Sequence, residues 1–286
     1  MNHTQLLERC REILRVPILH TQVISKGMEQ TVLSVTTASQ QFIAKASQQK
    51  ETIFREVMAC TLLNKKIPLP QIVFADEEML IENFIEGEDL DTLSLSDEEQ
   101  QRTYIDAGRI LYSIHQQSAE GFGVIMTNGK GKHNNLKNFS FYNERNLARL
   151  RKKYLSGSEI KRFERYVEKN DHYFNNTQSV LLHYDFVDSN IRYNNQQISG
   201  IIDFGDLSGG CPALDFAWIY IYYYGNKKWD YILQGYNEPI DIEETRFFAA
   251  CNLIYFILND GDPKKVQHKL DMLNEIVQYK SFFGLF

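Results

Sequence analysis

The segment LLHYDFVDSNIRYNNQQISGIIDFGD, Leu181 to Asp206, decides how the chain is read. It sets Asp185, Asn190, Asp203 and Asp206 among runs as apolar as Leu181-Leu182 and Ile201-Ile202. A carboxylate at the end of a buried strand is costly unless something cationic sits beside it. The pattern predicts short strands at 180–183, 191–193 and 198–202. If these pair as a hairpin, the loop residues Asp185 and Asn190 converge on one edge with Asp203. Oxygen donors of this kind suit Mg2+, which takes a few carboxylates and shares its shell with phosphates and water. An Asp free of metal can orient a hydroxyl and accept its proton. Metal, positioning and a base are the minimum equipment for phosphoryl transfer. Any one of these residues alone reads as an Asx-turn or a strand-end cap. The spacing H-x-D-x(4)-N, with D-F-G beginning thirteen residues after the Asn, argues for a site.

The totals agree with a globular enzyme. The chain has 286 residues, 43% hydrophobic and 24% charged, which fits two lobes better than one small core. Its net charge is 31 − 37 = −6, so a general nucleic-acid partner is not expected. Cys10, Cys60, Cys211 and Cys251 form no CxxC, and the seven histidines form no HxxxH or HExxH pair. The opening MNHTQLLERCREIL carries charges inside its apolar pattern and does not read as a signal peptide. The most apolar run, Phe216 to Tyr224, is too short to cross a bilayer. A cytoplasmic protein with reduced thiols and no membrane partner is expected.

Leu6, Leu7, Cys10, Ile13 and Leu14 recur at helical spacing and predict a helix over 3–14. Strands are predicted at 22–25, 31–37 and 41–46, then a helix at 50–65 ended by Pro68 and Pro70, then strands at 71–75 and 79–84. From Asp97 the pattern is mainly helical: 97–118, 139–154, 158–175, 213–224, 241–259 and 262–280. Residues 127–138 are polar and read as an exposed loop. The expected fold is α+β and bilobal, with a small β-rich lobe over 1–86 and a larger, mainly helical one over 87–286. Charge is uneven. Residues 67–101 hold eleven acids and no Lys or Arg, whereas 130–169 hold twelve basic residues and four acids. Both stretches read as solvated surface.

HYDFVDSN with IIDFGD resembles the aminoglycoside phosphotransferase family and its choline-kinase relatives, which have the bilobal fold of protein kinases. The resemblance covers most of the chain. GMEQTVLSV, from Gly27, is similar to the family's nucleotide loop and following strand. FIAKAS places Lys45 at the strand-borne lysine, and FREV places Glu56 at its helical partner. LIENFIEGEDL resembles the hinge, AGRILYSIH the helix ending in the family's L-H pair at His115, and PALDFAW the segment after the metal loop.

The resemblance implies that Asp185 is the catalytic base and that Asn190 and Asp203 bind Mg2+. Lys45 would hold the α and β phosphates of ATP or GTP, and Glu56 would fix Lys45 by an ion pair. Glu51 opens the same helix and competes for that part. By itself Lys45 also reads as a surface lysine on an edge strand. Ser25 and Gly27 would lie over the phosphates, in a turn that is neither GxGxxG nor GxxxxGK[ST]. The hinge at 82–85 would meet the purine edge. His183 and His115 are expected to be buried structural imidazoles.

Tyr184 departs from the family, which has a small residue there, often glycine. A ring in that place is expected to narrow the acceptor side or stack on a substrate. Asp188 reads as a loop cap, and Asp206 as a charge that screens Mg2+ or touches the acceptor. Asp215 falls in the first turn of a helix, where the dipole favours an acid. The run FAWIYIYYY reads as a buried helix, with a substrate-stacking wall as the other option.

Only nine residues separate Gly205 from Asp215, and there is no HRD and no APE. That favours a small-molecule kinase over a protein kinase. The presence of Lys45, Asp185, Asn190 and Asp203 together argues against a non-catalytic binding module. The resemblance implies that C-terminal helices shape the acceptor pocket. That third of the chain holds Glu238, Asp241, Glu243, Glu244, Asp260 and Asp262 with few basic residues, which would attract a cation. An aminoglycoside-type antibiotic is the expected acceptor, and antibiotic resistance the expected role. Choline or an amino sugar is the alternative. A monomer is expected.

Overall fold

The structure is a computed structural model, and its described residues are 1–26 and 30–278. Helix α1 (His3–Leu14) opens on a reciprocal cap: Asn2 accepts from the Gln5 amide while the Gln5 side chain caps back. Then come β1 (Ile18–Lys26), β2 (Gln30–Thr37), β3 (Gln41–Ser47), α2 (Lys50–Leu62), β4 (Ile72–Ala75) and β5 (Met79–Asn83). They form one antiparallel sheet in the order β1-β2-β3-β5-β4. Alternation along the strands sorts the side chains. Leu33, Val35, Phe42, Ala44, Ala46, Met79 and Ile81 pack with Leu6 and Cys10 of α1 on one face. Lys45, between Ala44 and Ala46, therefore points the other way, towards α2.

A short strand β6 (Glu88–Asp89) leads to α3 (Asp97–His115), which starts on the Ser96–Glu99 capping box. Beyond it lie β7 (Phe122–Ile125), β8 (Gly131–His133), α4 (Leu136–Phe139), α5 (Glu144–Lys153), α6 (Gly157–Lys169), β9 (Val180–Leu182), β10 (Ile191–Asn194), β11 (Gln197–Ile201) and β12 (Ser208–Gly210). The chain continues through α7 (Pro212–Tyr222), α8 (Lys227–Gly235), α9 (Ile242–Asn259) and α10 (Pro263–Gln278). Two small sheets, β11-β10-β6 and β8-β7-β12-β9, sit within this helical part. The fold is thus α+β, with a β-rich N-terminal sheet followed by a mainly helical C-terminal part.

The pattern-based expectations fail for one loop and three helices, and strands β6, β7 and β12 are not foreseen. The loop expected at 127–138 contains β8 and the start of α4. The helix expected at 139–154 breaks, and Asn143 caps α5 by accepting from the Asn146 amide. The helix expected at 158–175 stops at Lys169 and gives way to a 3-10 turn, Asp171–Asn175. Helix α8 is not foreseen, because KKWDYILQG is short and its defining contact is tertiary. It crosses α3 where both helices have glycine: a Cβ on Gly108 would strike the Ile232 carbonyl, and one on Gly235 the Ile105 carbonyl.

Phe216, Ala217, Ile219 and Ile221 are buried in α7, so the aromatic run there is core, with Tyr222 alone 52% exposed. The four cysteines are free thiols. Among the described residues no helix is long and apolar enough to cross a membrane.

Candidate active site

The hairpin β10–β11 is antiparallel, with Ile191 opposite Ile201. One step further on, the Ile202 amide donates to the Asn190 carbonyl at 3.0 Å, which brings Asn190 beside Asp203. Asp185 lies in the turn that leads from β9 into this hairpin. Asn190 Nδ2 donates both to the Asp185 carbonyl and to Asp185 Oδ2, each at 2.9 Å. The three residues that the motif spacing singled out therefore meet at one edge.

Asp215, 1% exposed, anchors this loop. Its Oδ2 accepts from the His183 amide at 2.9 Å and its Oδ1 from the Tyr184 amide at 2.7 Å. His115 Nε2 reaches the same carboxylate at 3.0 Å, and His115 Nδ1 meets the Tyr236 hydroxyl at 2.9 Å. Asp215 thus does more than begin a helix: it holds the backbone of the loop. His183 Nδ1 accepts from the Asp185 amide at 3.3 Å, and Nε2 donates to the Ile202 carbonyl at 3.2 Å. That pairing assigns the neutral Nε2-H tautomer. Both histidines are structural, as expected.

Tyr184 corrects one expectation. Its backbone is left-handed, φ 66°, and its ring is buried against Phe139 (5.0 Å between centroids) and Trp218 (5.3 Å). The buried ring is therefore not offered for stacking on a substrate. A left-handed position is one that glycine takes without penalty.

Lys45 is buried and pairs with Glu56 of α2. Glu51 is not its partner. A second carboxylate is: Glu82 of β5, 3% exposed, lies 3.1 Å from Lys45 Nζ. Burial alone would lower the Lys45 pKa, but Glu56, Glu82 and Asp203 outweigh it and raise it. Burial pushes the Glu56 carboxyl up to about 7, with Lys45 opposing and Glu82 and Asp203 adding. Glu82 was missed because the sequence marks it only as hinge.

Arg55 was also missed. Its side chain is buried and donates to the Gly205 carbonyl, to the Ile125 carbonyl at 3.2 Å and to Thr52 Oγ1 at 3.2 Å. It ties α2, and with it Glu56, to the loop that follows Asp203. No local signal distinguishes it from a surface arginine. Gly27 lies outside the described residues, as does the side chain of Ser25; the Ser25 backbone pairs with Val32.

Asp203 is itself left-handed, φ 64°, and its Oδ1 accepts from the Gly205 amide at 3.4 Å. A divalent cation fits this edge. Asn190 commits both Nδ2 hydrogens to Asp185, so its Oδ1 is the atom that could ligate, and Asp203 offers a carboxylate open to solvent. Two oxygen donors and room for water match Mg2+. Asp185 is half-buried; desolvation raises its pKa, with the hydrogen bond from Asn190 opposing and Asp203 and Asp215 adding. Asp206 opens to solvent. The cleft walls desolvate it, and the Asp185 and Asp203 carboxylates raise its pKa further.

The C-terminal acids are mostly committed elsewhere. Asp241 caps α9, Glu238 accepts from the Tyr112 hydroxyl, Glu243 pairs with Arg246, Glu244 accepts from Asn176, and Asp260 pairs with Lys269. Among the described residues, Asp206 is an exposed carboxylate beside Asp185 in addition to Asp203.

Comparison with known proteins agrees with this geometry. The family model described as "Phosphotransferase enzyme family" matches residues 20–248. No curated protein matches the chain significantly. Among solved structures, aminoglycoside phosphotransferase APH(4)-Ia superposes with a TM-score of 0.73 at 13% identity, covering 96% of this chain and 98% of that one. The ADP-bound aminoglycoside phosphotransferase APH(2″)-Ib superposes at 0.68 and 18% identity, covering 97% of each chain. The streptomycin–ATP–APH(2″)-IIa ternary complex gives 0.69 at 17% identity, covering 96% of this chain and 99% of that one. At these identities the superpositions speak for the fold, and the family match speaks for the class. The chain belongs to the phosphotransferase enzyme family and has the protein-kinase-like fold of the aminoglycoside phosphotransferases.

Proposed function

We propose that the chain is a Mg2+-dependent small-molecule kinase, acting as a cytoplasmic monomer. It moves the γ-phosphoryl group of ATP or GTP to a hydroxyl of a cationic acceptor, an aminoglycoside-type antibiotic. Residues 1–86 form the nucleotide-binding lobe and 87–286 the lobe that carries the loop and the acceptor pocket. The observation that carries this reading is the Asp185–Asn190 pair held at the edge shared with Asp203, across from a lysine clamped by Glu56.

Each residue has a part. Asp185 orients the acceptor hydroxyl and takes its proton; burial raises its basicity while Asn190 holds its rotamer. Lys45 binds the α and β phosphates, and Glu56 sets its direction. Ser25 and Gly27 belong to the turn over the phosphates. Asn190 and Asp203 would hold Mg2+, which when bound supplies charge neutralisation on the phosphate oxygens. Asp206 draws an amine of the acceptor towards Asp185. Support for a cationic acceptor comes from that carboxylate and from the antibiotics in the solved complexes.

The test is nucleotide turnover with ATP and with GTP across aminoglycosides, choline and amino sugars. Turnover with one aminoglycoside class, lost in Asp185→Asn, supports the reading. Turnover confined to choline or an amino sugar replaces the acceptor and keeps the kinase.

A further inference from the structure

Asp188 sits in the 3-10 turn Asp188–Asn190, two residues before Asn190, and is 3% exposed. Its carboxylate does not cap the turn. It points away from the loop and collects three side chains from other elements. Oδ1 accepts from the Tyr104 hydroxyl of α3 at 2.7 Å and from the Tyr223 hydroxyl just past α7. Oδ2 faces Lys228 Nζ of α8 at 2.8 Å. The lysine also lies over the two tyrosine rings, 4.8 Å from the Tyr104 centroid and 5.4 Å from that of Tyr223. The rings meet edge to face at 5.7 Å.

Such a cluster is a poor way to gain stability. Well-packed apolar residues of similar volume commonly do as well as a buried ion pair. What the polar cluster supplies is direction, because each of its four groups has a fixed partner. Its frame is also stiff: α3 and α8 touch at Gly108 and Gly235, where neither backbone can yield to a Cβ. The turn it holds carries Asn190, whose amide must reach both acceptors on Asp185.

We propose that Asp188 is a positioning residue for phosphoryl transfer. With Lys228, Tyr104 and Tyr223 it clamps the Asp188–Asn190 turn to the α3–α8 pair and so sets Asn190 against Asp185 and the cation edge. This rests on the kinase reading above, in which Asn190 binds Mg2+.

The test is calorimetric binding of AMP-PNP as a function of Mg2+ concentration, which needs no acceptor, with melting temperature followed in parallel. The variants are Lys228→Met, Lys228→Arg and Tyr223→Phe. Partners that orient a ligating side chain are typically worth about 10–100-fold in metal affinity or activity. Lys228→Met should raise the Mg2+ needed for half-saturation by about tenfold or more. Tyr223→Phe should raise it less, and Lys228→Arg should restore it to near the wild-type value. A purely structural cluster would lower the melting temperature and leave the Mg2+ dependence unchanged; that result overturns the inference. If Lys228→Met does not fold, Tyr223→Phe decides on the same criterion. Wild-type protein that binds no Mg-AMP-PNP overturns the kinase reading as well, whereas wild-type binding with unchanged variants overturns this inference alone.

Discussion

Asn190 holds Asp185 with both of its amide hydrogens, one on the carbonyl oxygen and one on Oδ2, each at 2.9 Å. The same two bonds fix the rotamer of the proposed base and leave Asn190 Oδ1 free for the proposed cation. Asn190→Ala removes both functions and should lower kcat by at least about tenfold. Asn190→Asp should be no better, since it sets a carboxylate against a carboxylate. Steady-state rates near the wild-type value in either variant would break the link between the two residues.

Among the described residues, Lys45 is the single ammonium paired with both Glu56 and Glu82. Lys45→Met leaves both carboxylates buried without a cation. Breaking a buried pair in this way costs about 3–5 kcal/mol. Urea unfolding should show a loss of that order, and titration with nucleotide should show affinity falling as well. Glu56→Gln should weaken nucleotide binding less, because Glu82 still holds the lysine.

Glu56 makes stability pH-dependent, with a definite sign. Its folded-state pKa of about 7 lies above the ordinary 4.5, so the folded protein binds this proton more tightly than the unfolded chain. The contribution is fully present below about 4.5 and is lost as pH rises through about 7. Between pH 5 and pH 8 the wild-type melting temperature should fall more steeply than that of Glu56→Gln. Parallel curves would show that Glu56 does not take up a proton in this range.

Tyr184 sets backbone strain against burial. A left-handed conformation costs an L-residue about 1–2 kcal/mol, which glycine would relieve. Deleting a buried aromatic side chain costs about 3–5 kcal/mol. The second effect is larger, so Tyr184→Gly should destabilise the protein by about 1–4 kcal/mol in chemical denaturation. A stabilised variant would mean that the ring contributes little against Phe139 and Trp218.

The chemistry-bearing residues were legible because their spacing is local. His183, Asp185, Asn190 and Asp203 flank one short hairpin, whose alternation and length can be read directly. Lys45 and Glu56 came from the resemblance of FIAKAS and FREV to the family's lysine strand and the helix that follows it. Their second partner, Glu82, comes from a different strand, and only the β3–β5 register brings it to Lys45. Arg55 and Asp188 were illegible for the same reason: their partners lie 150 and up to 84 residues away. The stacking option for Tyr184 failed because the sequence shows neither its φ nor the packing of its ring against Phe139 and Trp218. Helix α8 depends on a glycine contact with α3 that no local period announces.

In the proposed reaction Asp185 takes the acceptor's proton, which a comparison of two proteins can check. Wild-type and Asp185→Asn protein would be assayed for turnover with the best acceptor, alongside calorimetric binding of Mg-AMP-PNP. A positioned general base contributes about 10²–10⁴-fold. The account predicts a loss of that size in kcat with nucleotide affinity nearly unchanged, since the base acts on the acceptor. Equal turnover in the two proteins would contradict it.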